Sequence, residues 1–189
     1  MAKKAIVLLA EGFEEVEAIT PVDYLRRAGV EVTTAAIGES LTVKGARGIP
    51  VVADTTLAAL VKQGKAGASS WDAVVIPGGM PGASNLAASG ETGALLKEMA
   101  VTGKLVCAIC ASPAVVLAPL SLLSGKKFTC YPRMEEKVKE GTWSQDRVVV
   151  DGTIITSRGA GTAGSFAVAI IGKLLSEAEG KKVAESVLL

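Results

Sequence analysis

Apolar positions follow two rhythms along this chain. Lys4-Ala-Ile-Val-Leu-Leu-Ala10 is an almost unbroken apolar run, the pattern of a strand covered on both faces of a parallel sheet. From Val16 to Arg27 the spacing changes: Ala18, Ile19, Val22 and Leu25 recur at helical intervals, with Gly29 as a stop and Pro21 predicting a kink or first-turn position. Val30 to Ile37 alternates and is β-branched, so a second strand is expected there. Residues 38–56 predict a small hairpin excursion centred on Val43 and Val51-Val52, punctuated by Gly45, Gly48 and Pro50.

From Trp71 the strand–helix rhythm returns. Asp72 to Ile76 predicts a buried strand that runs into the loop Pro77-Gly-Gly-Met-Pro-Gly82. Glu91 to Val101 predicts a helix, Leu105 to Ile109 a strand, and Pro113 to Leu117 the start of a further helix. Arg147 to Val150 and Thr153 to Ser157 flank Asp151-Gly152, a type I′ hairpin signal. Thr162 to Leu175 predicts an Ala-rich helix and Lys181 to Val187 a short last one. Strands alternating with helices, without a repeat or a low-complexity linker, argue for one α/β domain over 1–189, a sandwich around a mostly parallel sheet with a small added β-hairpin.

Composition sharpens this picture at one point. The chain contains no histidine, which excludes a Ser-His-Asp triad, a Cys-His dyad and a His-ligated zinc site built from this chain alone. Charge is balanced, 20 Lys+Arg against 19 Asp+Glu, so nucleic acid is a poor fit as partner. Three cysteines, an odd number set in or beside apolar runs without a signal peptide, predict free thiols in a reducing cytoplasm. The apolar stretch Pro113 to Leu123 is too short to cross a membrane.

In sheets of this type the ligand site lies beyond the carboxyl ends of the strands. Four such loops carry chemistry: Glu11 to Glu17, Pro77 to Gly82, Ile109 to Pro113 and Ser157 to Gly164. Cys110 falls at a strand-to-helix turn, the placement of a nucleophile elbow, where a helix N-terminus would lower the thiol pKa; the plain alternative is a small buried hydrophobe. Cys107 and Cys110 form a Cys-x-x-Cys, but residues three apart on a strand face opposite ways, so no redox pair or zinc site is expected, and Cys107 and Cys130 are assigned to the core. Gly159-Ala-Gly-Thr-Ala-Gly164 has the spacing of a dinucleotide fingerprint without the following strand and acidic residue. Close helix–sheet packing explains those glycines better. Glu14, Glu15 and Glu17 crowd one helix start; all suit the helix dipole, and Glu17, deepest in the helix, is the candidate proton carrier if buried near Cys110.

At this point Ala10-Glu-Gly-Phe-Glu-Glu-Val-Glu17, Pro21-Val-Asp-Tyr-Leu-Arg-Arg-Ala-Gly29, Val74-Val-Ile-Pro-Gly-Gly79, Ala108-Ile-Cys-Ala-Ser-Pro113 and Thr156-Ser-Arg-Gly-Ala-Gly-Thr162 together resemble the ThiJ/PfpI superfamily, in the branch of the parkinsonism-associated deglycase and bacterial YajL. The resemblance implies a flavodoxin-like three-layer sandwich, a homodimer packed through the first helix, and no cofactor or metal. It implies a reactive Cys110 hydrogen-bonded to a protonated Glu17, an oxyanion or substrate pocket from Gly78, Gly79, Ala111, Tyr131 and Ala160, and dimer or near-site charges at Asp23, Arg27 and Arg47; for these three, surface ion pairs are the plain alternative.

Implied activities are glyoxalase or deglycase chemistry on methylglyoxal or its adducts, chaperone-like behaviour under oxidative stress, and oxidation of the cysteine to sulfinate. Tyr131 stands where the family carries a histidine, which argues against protease and amidotransferase activity, and Met80 stands where the deglycase carries a polar amide. Two functions are therefore expected from the same Cys110–Glu17 pair: a slow small-aldehyde enzyme, or a redox-sensing, chaperone-like protein without significant turnover.

Overall fold

A computed structural model of the chain describes residues 2–189. The first strand, β1 (Lys4–Leu9), splits its side chains cleanly: Ala5, Val7 and Leu9 enter one core layer, Ile6 and Leu8 the other. This two-sided burial is what its unbroken apolar run dictates. Helix α1 (Glu15–Arg27) follows, capped by Glu14, whose side chain accepts from the Glu17 amide at 2.8 Å. Pro21 is buried inside α1 as its seventh residue, so it withholds the N–H that the Glu17 carbonyl would accept, and the helix nevertheless continues to Arg27.

Strand β2 (Glu31–Ala36) pairs with β1, and the expected excursion forms as β3 (Thr42–Lys44) antiparallel to β4 (Pro50–Val52) in a separate two-stranded sheet. Strand β5 (Thr55–Thr56) and helix α2 (Leu57–Lys62) close this region. The centre of the chain supplies β6 (Ala73–Ile76), helices α3 (Gly82–Ala88) and α4 (Gly90–Val101), and β7 (Leu105–Ile109). A second small ladder joins β8 (Lys127–Phe128) to β9 (Thr142–Trp143), and β10 (Val148–Asp151), β11 (Ile154–Ser157), α5 (Ala163–Leu174) and α6 (Glu177–Ser186) complete the fold.

The main sheet has the order β10-β11-β7-β6-β1-β2-β5, parallel throughout except for the antiparallel β10–β11 pair. Helices α2, α3 and α4 cover one face and α1, α5 and α6 the other, giving the expected three-layer α/β sandwich. From β1 the chain moves to β2 on one side and then to β6 on the other. That reversal opens a crevice at the carboxyl ends of the strands, where Glu17, Gly78 and Cys110 follow β1, β6 and β7.

Several expectations need correction. Pro113 to Leu117 does not start an α-helix: it is a five-residue π-turn, followed by a 3₁₀ turn from Ala118 to Leu120 that contains Pro119 and ends at Ser121 in the left-handed region. The β10–β11 hairpin turns at Gly152-Thr153, and φ is positive only at Gly152, the sign pattern of a type II′ rather than a type I′ turn. The last helix begins earlier than expected, at Glu177, because Ser176 caps it by accepting from Glu179. Gly164 lies against Leu189 and Tyr24, so it serves contact with the first helix and the chain end rather than helix–sheet packing. Cys107 and Cys110 do not sit over opposite layers: Cys107 is in the layer under α1 and α5, and Cys110, beyond the end of β7, packs against that same layer, with both thiols free.

Phe166 on α5 is fully buried in that layer. Phe166→Ala is expected to cost about 3–5 kcal/mol of unfolding free energy, read as a lower urea midpoint at unchanged slope.

Candidate active site

The three glutamates at the start of α1 diverge because a helix turns about 100° per residue. Glu14 caps the helix. Glu15 turns to the β3–β4 excursion, where its Oε1 accepts from the amides of Arg47 at 2.7 Å and Ile49 at 3.3 Å. Glu17 points into the crevice, almost wholly buried, and its Oε2 accepts from the Gly78 amide at 2.9 Å. The amide of Ala160 and the Cys110 thiol lie near enough to favour its charged form.

Cys110 follows the last residue of β7 with φ of +64°, in the left-handed region. Its peptide groups hold it there: its N–H donates to the Ser157 carbonyl at 3.0 Å and its carbonyl accepts from the Tyr131 amide at 2.8 Å. The β6 loop lies directly against it. A Cβ on Gly78 would come within 2.6 Å of the Cys110 Cβ and 2.7 Å of Glu17 Oε2, so no larger residue fits between acid and thiol. Gly79 has φ of +83°, and a Cβ there would meet the Glu14 nitrogen at 2.4 Å. The amides of Gly79 and Ala111 both donate toward the Cys110 sulfur, a pair of fixed donors at the atom where charge would develop.

Burial raises the Glu17 carboxyl to about 7, against the amides of Gly78 and Ala160 and the Cys110 contact, which favour its charged form. Burial also raises the Cys110 thiol, to about 12, and the negative charge of Glu17 adds to that rise, while the Ala111 and Gly79 amides oppose it. This overturns the expectation of a lowered thiol pKa. The turn behind Cys110 is too short to supply a helix field, and the neighbouring carboxylate works against a second negative charge. Near neutral pH the thiol therefore keeps its proton, while the carboxyl stands between its two forms. Cys107 and Cys130 are fully buried, and burial pushes both thiols up.

The fold thus brings Glu17, Gly78, Gly79, Cys110, Ala111 and Ala160 together, with Tyr131 at the rim: its ring lies 3.6 Å from where a Cβ on Gly159 would stand. Asp23 and Arg27 instead pair with each other at 2.9 Å on the exposed side of α1, and Arg47 lies on the exposed excursion. Among the described residues none of these three makes a hydrogen bond or ion pair to Cys110 or Glu17. Two positioning groups escaped the sequence. Ser112 is buried and its hydroxyl donates to the Pro77 carbonyl at 2.6 Å, tying the Gly78-Gly79 loop to the cysteine turn; the Ser157 carbonyl has no side-chain signal at all. Among the described residues no group of three or more Cys, Asp or Glu side chains is arranged to hold a metal ion, and no helix is long and apolar enough to cross a membrane.

A carboxyl whose pKa is higher folded than unfolded binds its proton more tightly in the folded state, so its contribution to stability is present at low pH and is lost as pH rises. For Glu17 that window runs from about pH 4.5 to about pH 7. Glu17→Gln removes the effect, and the variant is expected to gain on the parent as pH rises across this window, by up to about 3 kcal/mol, measured by urea unfolding at pH 4.5, 6 and 8.

The sequence matches the DJ-1/PfpI family over residues 3–173. Protein DJ-1 homolog B of Arabidopsis thaliana is 41% identical over 97% of this chain, which spans 41% of that protein's length. A Caenorhabditis elegans protein named glutathione-independent glyoxalase DJR-1.2 is 36% identical, over 98% of this chain and 94% of its own. The solved structure of oxidized Toxoplasma gondii DJ-1 superposes with a TM-score of 0.93 at 38% identity, covering 99% of this chain and 98% of that one. Motifs, topology and sequence match agree, and the chain belongs to the DJ-1/PfpI family.

Proposed function

We propose that this protein is a cofactor-independent, cysteine-dependent enzyme of the glyoxalase or deglycase type, acting on methylglyoxal or its adducts. The observation that carries the reading is the thiol of Cys110 set across Gly78 from a buried carboxyl whose pKa is near 7, with the Gly79 and Ala111 amides favouring charge on the sulfur. The name of the C. elegans relative supports it.

The chemistry follows from the pKa order. The thiol is protonated at neutral pH and cannot attack unaided, whereas Glu17 is poised between acid and base. As the sulfur bonds to the aldehyde carbon, the carbonyl π pair moves to oxygen, the thiol proton passes to Glu17 and then to that oxygen, and a hemithioacetal forms between the Gly79 and Ala111 amides. Glu17, again a carboxylate, removes the proton from the former aldehyde carbon and delivers it to the neighbouring carbon, while the hydroxyl proton moves to the neighbouring oxygen and leaves a 2-hydroxy thioester. One carbon is oxidised and the other reduced, so no external electron acceptor is needed. Water then cleaves the thioester, releasing lactate and the free thiol.

The same reading covers the chain as a single domain over 1–189 that pairs as a homodimer through α1. Val16 and Ile19 are 48% and 40% exposed on that helix, beside the Asp23–Arg27 pair, an apolar cost that a second copy would remove. Three free thiols suit the reducing cytoplasm.

Purified protein is expected to convert methylglyoxal to lactate, with kcat/KM rising as pH passes about 7 while Glu17 becomes the base. Cys110→Ala is expected to fall to the uncatalysed rate, and Glu17→Gln to lose about 10²- to 10⁴-fold together with the pH limb. Turnover that survives in Cys110→Ala rejects the enzyme reading in favour of a redox-sensing, chaperone-like role for the same thiol. Ile19→Glu is expected to shift the sedimenting species from dimer to monomer.

A further inference from the structure

We propose that the rim of this site selects carbonyl compounds carrying an apolar group beside the reacting carbon, aryl or bulky alkyl α-oxoaldehydes in preference to methylglyoxal, and that Met80 and the ring of Tyr131 are the residues that read it. The inference rests on the enzyme reading above and specifies its substrate class.

Two large apolar side chains on the segments that frame the thiol are left open to water. Met80 is 55% exposed and directly follows Gly79, whose amide donates toward the Cys110 sulfur. Its Sδ lies 3.8 Å from the Ser84 hydroxyl on α3, which anchors the thioether on the amide side of the site. Tyr131 is 54% exposed, and its own amide donates to the Cys110 carbonyl. The place a Cβ on Gly159 would occupy is 3.6 Å from the Tyr131 Cδ2 and 3.8 Å from Glu17 Oε1, so the ring stands on the carboxyl side. Met80 thus belongs to the loop that carries the Gly79 amide, and Tyr131 to the segment whose amide holds the Cys110 carbonyl.

Of the other large apolar residues left exposed, Val16 adjoins Glu17 but lies with Ile19 on α1, where a second copy would cover it, and the rest lie on the β3–β4 excursion or elsewhere. Apolar surface held at a reactive atom gains by being covered, and a ring or branched chain on the substrate covers it where a methyl group cannot. Thioether–aromatic and aromatic–aromatic contacts add direction to that gain. A strongly hydrated substrate gains nothing from either side chain. The bond-forming step is unchanged: sulfur adds to the aldehyde carbon, the π pair goes to oxygen, and the proton that leaves sulfur through Glu17 ends on that oxygen.

The test compares kcat/KM for phenylglyoxal with kcat/KM for methylglyoxal in the parent, Tyr131→Phe, Tyr131→Ala and Met80→Asn, all at the surface and outside the core. The parent is expected to favour phenylglyoxal, Tyr131→Phe to keep the ratio within about twofold, and Tyr131→Ala and Met80→Asn each to lower it about tenfold, the low end of what one apolar contact discriminates. A ratio unchanged in both Ala and Asn variants overturns the proposal, as does a loss in Tyr131→Phe equal to that in Tyr131→Ala, which would make the hydroxyl the reader. A second measurement needs no turnover: alkylation of Cys110 by N-phenyliodoacetamide and by iodoacetamide, followed by intact mass with Cys110→Ser as blank. If neither aldehyde is turned over, the enzyme reading fails. The rim proposal then stands if the ratio of alkylation rates falls in Tyr131→Ala and Met80→Asn, and fails if it does not.

Discussion

Cys110 is held in a left-handed backbone conformation that a residue with a side chain adopts at a cost of about 1–3 kcal/mol, and everything at the carboxyl edge of the sheet is arranged around that position. The hydrogen bonds that keep it there come from both directions, the Ser157 carbonyl on β11 and the Tyr131 amide on the loop after β8. With the backbone so fixed, the sulfur leaves the line of β7 and meets two amides and a carboxyl instead of continuing along the strand. Gly78 is the corresponding requirement on the neighbouring loop, because any Cβ there would occupy the space in which thiol and carboxyl touch.

The electrostatics of the pair follow from the same enclosure. Two acids share a pocket that is poorly hydrated, so neither ionises easily and double ionisation is the state most strongly opposed. Amides alone line the charged positions: Gly78 and Ala160 for the carboxyl, Gly79 and Ala111 for the sulfur. In a chain without histidine, the titratable groups set side by side here are a carboxyl and a thiol, with no imidazole between them. Glu17 spends folding stability on that arrangement above about pH 4.5, as functional carboxylates in apolar surroundings do.

Much of this was legible before any coordinates. Continuous apolar runs identified β1 and β7, the helical spacing of Ala18, Val22 and Leu25 identified α1, and the carboxyl-end rule joined four loops into one site. What escaped has physical reasons. Strand β5 is two residues long, too short for a period. Helix α3 is written almost wholly in small or polar residues around one buried Leu86, and β8 and β9 meet across a loop whose pairing no local pattern encodes. The sign of the Cys110 pKa shift was missed because it depends first on burial of the thiol and then on its distance to Glu17, and neither is a property of the local sequence. Which of three glutamates faces the thiol was legible only as depth along a helix, and that was enough.

The strand order has a kinetic side. The groups that surround the sulfur come from residue 17, residues 78 and 79, residue 111 and residue 157, joined only when β1, β6, β7 and β11 lie side by side. Contacts so far apart in sequence form late, after the loops between them have closed. Until then Cys110 is an ordinary thiol, with a pKa of about 8.5, more ionised and more open to indiscriminate oxidation or mixed disulfides than in the finished protein, where it is held near 12. Completion of the sheet thus works as a safety catch: it quiets the thiol toward bulk reagents while setting beside it, in Glu17, a carboxyl that changes charge near neutral pH.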